Sequence, residues 1–81
     1  MSWRHTVYDA RVLGSKVRKA REERGLTQDE LANAAGMNRV YLGRVERGEV
    51  DVTLRILYDI AHQLACPALE LVPLPGDRLP E

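Results

Sequence analysis

The sequence predicts an all-α fold. Gly25, Gly36, Gly48, Pro67 and Pro73 cut the chain into segments of helical length. Within those segments apolar residues recur at three- and four-residue spacing, and no stretch alternates apolar with polar as a half-buried strand would. At 81 residues there is room for one small domain. We divide it into an N-terminal extension (1–9), a folded unit (10–72) and a Pro-rich tail (73–81) with few core residues, for which disorder is expected.

Each helix carries its own start and stop. Asp9 is placed to cap helix one, Ala10 to Arg24, with Tyr8 and Leu13 set for a hydrophobic staple. Leu13, Val17, Ala20 and Arg21 share a face, and Gly25 is the stop. Thr27 and Glu30 form a capping box for helix two, which runs to Ala35 with Leu31, Ala32 and Ala35 inward. Gly36 ends it, and Met37 follows as a buried plug. Asn38 caps helix three, which ends near Arg47 with Gly48 beyond it. Thr53 caps helix four, where Leu54, Leu57, Ile60, Ala61 and Leu64 recur at helical spacing. Pro67 suits the first position of a short fifth helix that Pro73 stops.

Two short helices around a Gly-containing turn have the geometry of a helix-turn-helix, whose second helix enters the DNA major groove. Advancing about 100° per residue from Arg39 gathers Gly43, Arg47, Val40 and Arg44 into one sector of roughly 140°. Tyr41, Val45, Leu42 and Glu46 take the remainder, with Leu42 and Val45 as apolar anchors. Arginine donates two hydrogen bonds to guanine O6 and N7, and a valine can meet a thymine methyl. Gly43 costs about 1 kcal/mol relative to Ala inside a helix, which is understandable where DNA or another helix approaches closely.

The run Val17-Arg18-Lys19-Ala20-Arg21-Glu22-Glu23-Arg24-Gly25-Leu26-Thr27-Gln28-Asp29-Glu30-Leu31-Ala32 resembles the lambda-repressor-like (Cro/cI, XRE) helix-turn-helix family. So do Ala35-Gly36, Tyr41-Leu42-Gly43-Arg44-Val45-Glu46-Arg47-Gly48, and Leu57 with Ile60-Ala61 and Leu64. The resemblance implies a five-helix DNA-binding domain whose helix-turn-helix is helices two and three. It implies base reading by Asn38, Arg39, Val40 and Arg44, and a phosphate contact by Gln28 that also braces helix three. Thr27, Arg47, Lys16 and Lys19 are expected to join Gln28 on phosphates. Tyr41 matches a position that reaches the DNA in many members, although its angle also suits packing. Arg21 and Glu46 match a structural ion pair. The chain departs from the family at Val52, where Pro is usual, and at Ala65, where Gly is usual. Ile56 and Leu69 are apolar where members are commonly polar; with Tyr58 and Val72 they would form a patch of the kind that marks an interface. The sequence leaves open whether that patch makes an interface, packs against the extension, which carries Trp3, or stays as scattered exposed residues.

The implied function is a cytoplasmic, sequence-specific transcriptional regulator acting as a homodimer on a pseudo-palindromic stretch of double-stranded DNA. Small members whose helix three starts in this way resemble controller proteins of restriction–modification systems. Asp29, facing outward, is placed to touch RNA polymerase. The rival readings are an antitoxin-like protein with a heterologous partner and an adaptor that has lost DNA binding. Charge fits the main reading once it is divided. Net charge is zero, but Met1 to Gly48 holds ten Lys/Arg against six Asp/Glu, and Glu49 to Glu81 holds two against six, so the halves carry +4 and −4.

Other classes fall away. No apolar run approaches the ~20 residues of a membrane span. The single Cys66 with only His5 and His62 offers no zinc spacing, so no metal or cofactor is expected. Cys66 itself reads as a buried, inert thiol and His62 as a solvated surface imidazole. Ser2 and Ser15 have no base and orienting partner, so neither an enzyme nor a small-molecule ligand is expected.

Overall fold

The computed structural model describes residues 9–79. Four α-helices follow one another: α1 Ala10–Glu23, α2 Gln28–Ala34, α3 Arg39–Glu46 and α4 Leu54–Gln63. Among the described residues there is no strand. The fifth helix is a correction. Ala68–Leu71 forms a single 3₁₀ turn with Pro67 as its cap, held by Glu70 N–H to Pro67 O at 3.0 Å and Val72 N–H to Leu69 O at 3.2 Å. Between Pro67 and Pro73 the segment is too short to gain from i→i+4 bonding, so it tightens to i→i+3.

The four predicted caps form. Asp9 accepts from Arg11 N–H, Thr27 from Glu30 N–H, Asn38 from Val40 and Tyr41 N–H, and Thr53 from Ile56 N–H. Tyr8 and Trp3 lie outside the described residues. All four helices end alike, with a left-handed residue at C′ and an N–H one residue later bonded back to the last turn: Leu26 to Arg21 O, Met37 to Ala32 O, Glu49 to Arg44 O and Cys66 to Ala61 O. Three of these C′ positions are Gly. The fourth is Ala65, at φ +53°, a conformation strained for any residue with a Cβ.

Val17, Leu31, Leu42, Val45, Ile60, Leu64 and Leu71 form the fully buried centre, with Leu13, Leu57, Ala20, Ala32 and Ala61 around them. α1 crosses α3, and α2 packs on both α3 and α4. The crossing is possible because residue 14 is glycine. A Cβ there would stand 2.5 Å from the Glu46 carbonyl oxygen and closer still to that of Val45. Leu54, the first of the apolar residues that recur along helix four, is 73% exposed in the first turn of α4. Met37 and Ala35 are only half-buried. Residues 73–79, expected to be disordered, carry a turn that rests on α1: Lys16 Nζ meets Asp77 Oδ2 at 2.8 Å and donates to Val72 O at 3.0 Å.

Candidate nucleic-acid interface

The inner edge of α3 is tied down by one buried carboxylate. Glu46 accepts from Arg21 Nε at 2.7 Å, Arg21 NH2 at 3.0 Å and Gln28 Nε2 at 2.9 Å. A further Arg21 nitrogen, NH1, donates to Leu26 O at 2.8 Å, fixing the loop between α1 and α2. This carboxylate therefore joins α1, α2 and α3. It also raises the Arg21 guanidinium above its ordinary pKa, chiefly through the hydrogen bonds to Glu46. Among the described residues no buried side-chain polar atom lacks a partner, so the motif is fixed before it meets any ligand.

The outer face of α3 is exposed. Val40 is 65% accessible, and the Arg39, Arg44 and Arg47 side chains around it are all more than half exposed. Arg39 Nε lies 3.6 Å from Asp29 on α2. Arg47 donates to Glu49 from Nε at 2.9 Å and from NH2 at 3.3 Å, and Arg44 Nε lies 3.8 Å from the same carboxylate. Arg47 holds the Glu49 carboxyl below its usual range, and Glu49 in turn raises Arg47. At Gly43 an added Cβ would meet Arg47 NH1 at 3.2 Å and the Gln28 amide at 3.8 Å. The missing side chain thus leaves room for that guanidinium to lie over the helix.

The structure distributes the remaining expected residues unevenly. Asn38 Oδ1 is spent on the cap, at 2.6 Å from Val40 N and 3.4 Å from Tyr41 N, which leaves its amide donors for any outside group. Thr27 and Glu30 hold each other, at 2.8 Å and 3.1 Å. Tyr41 is half-buried against the core. Lys16 is drawn to Val72 and Asp77, and with Lys19 it lines a cleft between α1 and the 3₁₀ turn alongside Glu23, Arg24 and Glu70. In the helix the two lysines are turned well over 90° from Gly14, the residue that touches α3. Neither is gathered with the α3 arginines.

The expected apolar patch divides. Tyr58 and Leu69 line one shallow groove with Ala61, His62, Cys66 and Ala68. Val72 lines another with Leu13, Val52 and Leu54. Ile56 is on the opposite edge of α4 from Tyr58 and is half-buried against the core. Cys66 is half-buried rather than fully enclosed, with its thiol pKa pushed up mainly by burial. Sequence reasoning missed Leu54, which extends the Tyr58 side of α4 by one turn. It also missed Glu49, whose signal was a carboxylate directly after the Gly48 stop.

Among the described residues no helix is long and apolar enough to cross a membrane, and no group of three or more His, Cys, Asp or Glu side chains could hold a metal ion. Comparison with known proteins accords with the geometry. The family model HTH_3, helix-turn-helix, matches residues 17–71. The chain is 37% identical over 70 residues to the uncharacterized HTH-type transcriptional regulator y4dJ of Sinorhizobium fredii, covering 86% of this chain and 90% of that protein. It is 42% identical over 53 residues to the control protein C.SmaI of Serratia marcescens, covering 65% of this chain and 63% of that one. Among solved structures, the restriction–modification controller protein C.AhdI from Aeromonas hydrophila matches with a TM-score of 0.76 at 36% identity, over 78% of this chain and 96% of that one. An exposed basic α3 braced by α1 and α2 and the family match over residues 17–71 agree: the chain belongs to the HTH_3 (XRE-type) helix-turn-helix family of transcriptional regulators.

Proposed function

We propose that this protein binds a pseudo-palindromic DNA operator as a homodimer in the cytoplasm, and that residues 10–72 are the DNA-binding domain. The observation that carries the reading is the exposed Arg39/Val40/Arg44 face on a helix whose opposite edge is locked by the Arg21–Glu46–Gln28 network. Arg39 and Arg44 read guanine edges, Val40 meets a thymine methyl, and the Asn38 amide reaches the adjoining base. Gln28, Thr27 and Arg47 contact phosphates. Lys16 and Lys19 are left out of that set, because Lys16 pairs with Asp77 and both line the cleft between α1 and the 3₁₀ turn rather than the α3 face.

Tyr58, Leu69 and Leu54, at 62%, 68% and 73% exposure, are the apolar residues a two-fold partner would cover. Such symmetry places two α3 helices about one DNA turn, ~34 Å, apart. The likeness to C.SmaI and C.AhdI supports control of a restriction–modification system or of the protein's own promoter. Asp29 is the proposed contact with RNA polymerase; because it also reaches Arg39, its Ala variant must be compared at equal operator occupancy. Unchanged activation would then remove Asp29 from that role.

Selection of bound sites from random duplexes, with sedimentation of the chain alone and on DNA, tests the reading. The expected result is a symmetric motif and a dimer that Tyr58→Glu or Leu69→Glu disrupts. A sequence-random bound pool would refute it.

A further inference from the structure

Each arginine on the outer face of α3 has a carboxylate beside it, and one of those carboxylates serves two. The backbone of Glu49 is anchored to the end of α3, its N–H bonded to Arg44 O at 2.9 Å. Its side chain takes Arg47 through two hydrogen bonds, at 2.9 Å and 3.3 Å, and stands 3.8 Å from Arg44 Nε. All three side chains are about half exposed, so the carboxylate lies open to approaching DNA, and the pair, screened by water, is weak enough to be displaced. Gly43 completes the arrangement by letting Arg47 NH1 lie close over the helix.

From this arrangement we infer that Glu49 is a specificity-determining residue that never touches a base: it withholds Arg44 and Arg47 from non-specific phosphate binding. The inference rests on the DNA-binding reading above. Non-specific affinity comes from the phosphates a protein neutralises. A guanidinium already facing a carboxylate brings little net charge to a phosphate, and the carboxylate repels the backbone. Base readout depends instead on N–H donors, of which arginine has five. The Glu49 carboxylate spends its hydrogen bonds on Arg47, the phosphate-facing arginine, and makes none to the Arg44 guanidinium, so the donors of Arg44 remain for base edges. The tax therefore falls more heavily on random DNA than on an operator. The lowered Glu49 and raised Arg47 pKa values agree with a carboxylate that stays ionised beside its arginine.

The test compares wild type, Glu49→Gln and Glu70→Gln on a random duplex and on the selected operator across a salt series. Glu70 lines the cleft between α1 and the 3₁₀ turn, so its variant changes net charge equally at a distant site. Glu49→Gln is expected to raise random-duplex affinity about fivefold per protomer at low salt. Its log–log salt slope steepens by about 0.9 per protomer, and operator affinity rises less, so the ratio of the two falls. An unchanged random-duplex affinity overturns the inference. So does an equal gain on both duplexes, or the same gain with Glu70→Gln. Wild-type protein that fails to discriminate the two duplexes refutes the DNA-binding reading itself, which separates that failure from one confined to Glu49.

Discussion

Replacing Glu46 by Ala removes the acceptor of three hydrogen bonds and leaves the Arg21 guanidinium, whose side chain is only 11% exposed, facing Leu26 O alone. Breaking one side of a buried ion pair typically costs about 3–5 kcal/mol. The lower end applies here, because Arg21 keeps one carbonyl and can reach water at its rim. Total stability for a domain of this size is roughly 4–12 kcal/mol at ~0.05–0.15 kcal/mol per residue, so a loss of ~3 kcal/mol is a large share of it. With a urea dependence of about 1–3 kcal/mol/M, the midpoint should fall by ~1–3 M. The double variant Arg21→Met/Glu46→Leu removes both charges and keeps apolar volume, and is expected within ~1 kcal/mol of wild type, since buried pairs exchange for apolar residues near neutrality. The assay is urea unfolding followed by circular dichroism on wild type, both single variants and the double. A double variant whose loss equals the sum of the singles, with no coupling energy, would refute the claim that these residues act as one tie.

Three further outcomes follow from the geometry. Gly14→Ala should destabilise by ~2 kcal/mol despite a helix-propensity gain of up to ~1 kcal/mol, because its Cβ would press on the Val45 and Glu46 carbonyls; a raised thermal midpoint would contradict the close crossing of α1 and α3. Ala65→Gly should stabilise by ~0.5–1 kcal/mol by relieving a left-handed residue at φ +53°, and a chemical denaturation midpoint that falls would contradict it. Asp77 is held below its ordinary 3.8, first by the hydrogen bond from Lys16. With the folded value depressed, its contribution is present above about pH 4 and lost as pH falls through the folded value. NMR titration should find Asp77 below 3.8 in wild type and raised toward it in Lys16→Met, part of the lowering being kept by the hydrogen bond from Leu74 N–H; equal values in the two would show that the segment is not seated on α1.

What could be read from the sequence was mostly local. Asp9, Thr27, Asn38 and Thr53 cap helices with atoms two or three residues away, so the capping pattern sufficed. The arginine face of α3 followed from rotation alone, and the family resemblance supplied the Arg21–Glu46 tie, a pairing across 25 residues. Non-local contacts escaped. Gly14 matters because of carbonyls on α3, and Lys16 is claimed by Asp77 across most of the chain. The fifth helix failed on length, since the five residues between Pro67 and Pro73 gain more from 3₁₀ bonding, which Ala68–Leu71 adopts. The apolar patch divides for a different reason: at about 100° per residue Ile56 and Tyr58, two positions apart, fall on opposite edges of α4.

Base reading by the outer face of α3 is tested by equilibrium binding of wild type and of Arg39→Ala and Arg44→Ala to the selected operator and to a scrambled duplex of equal length. Each variant should lose ~1–3 kcal/mol on the operator and much less on the scrambled duplex, with relaxed preference at a distinct base pair. Equal losses on both duplexes would show that these arginines bind phosphates only and would contradict the account.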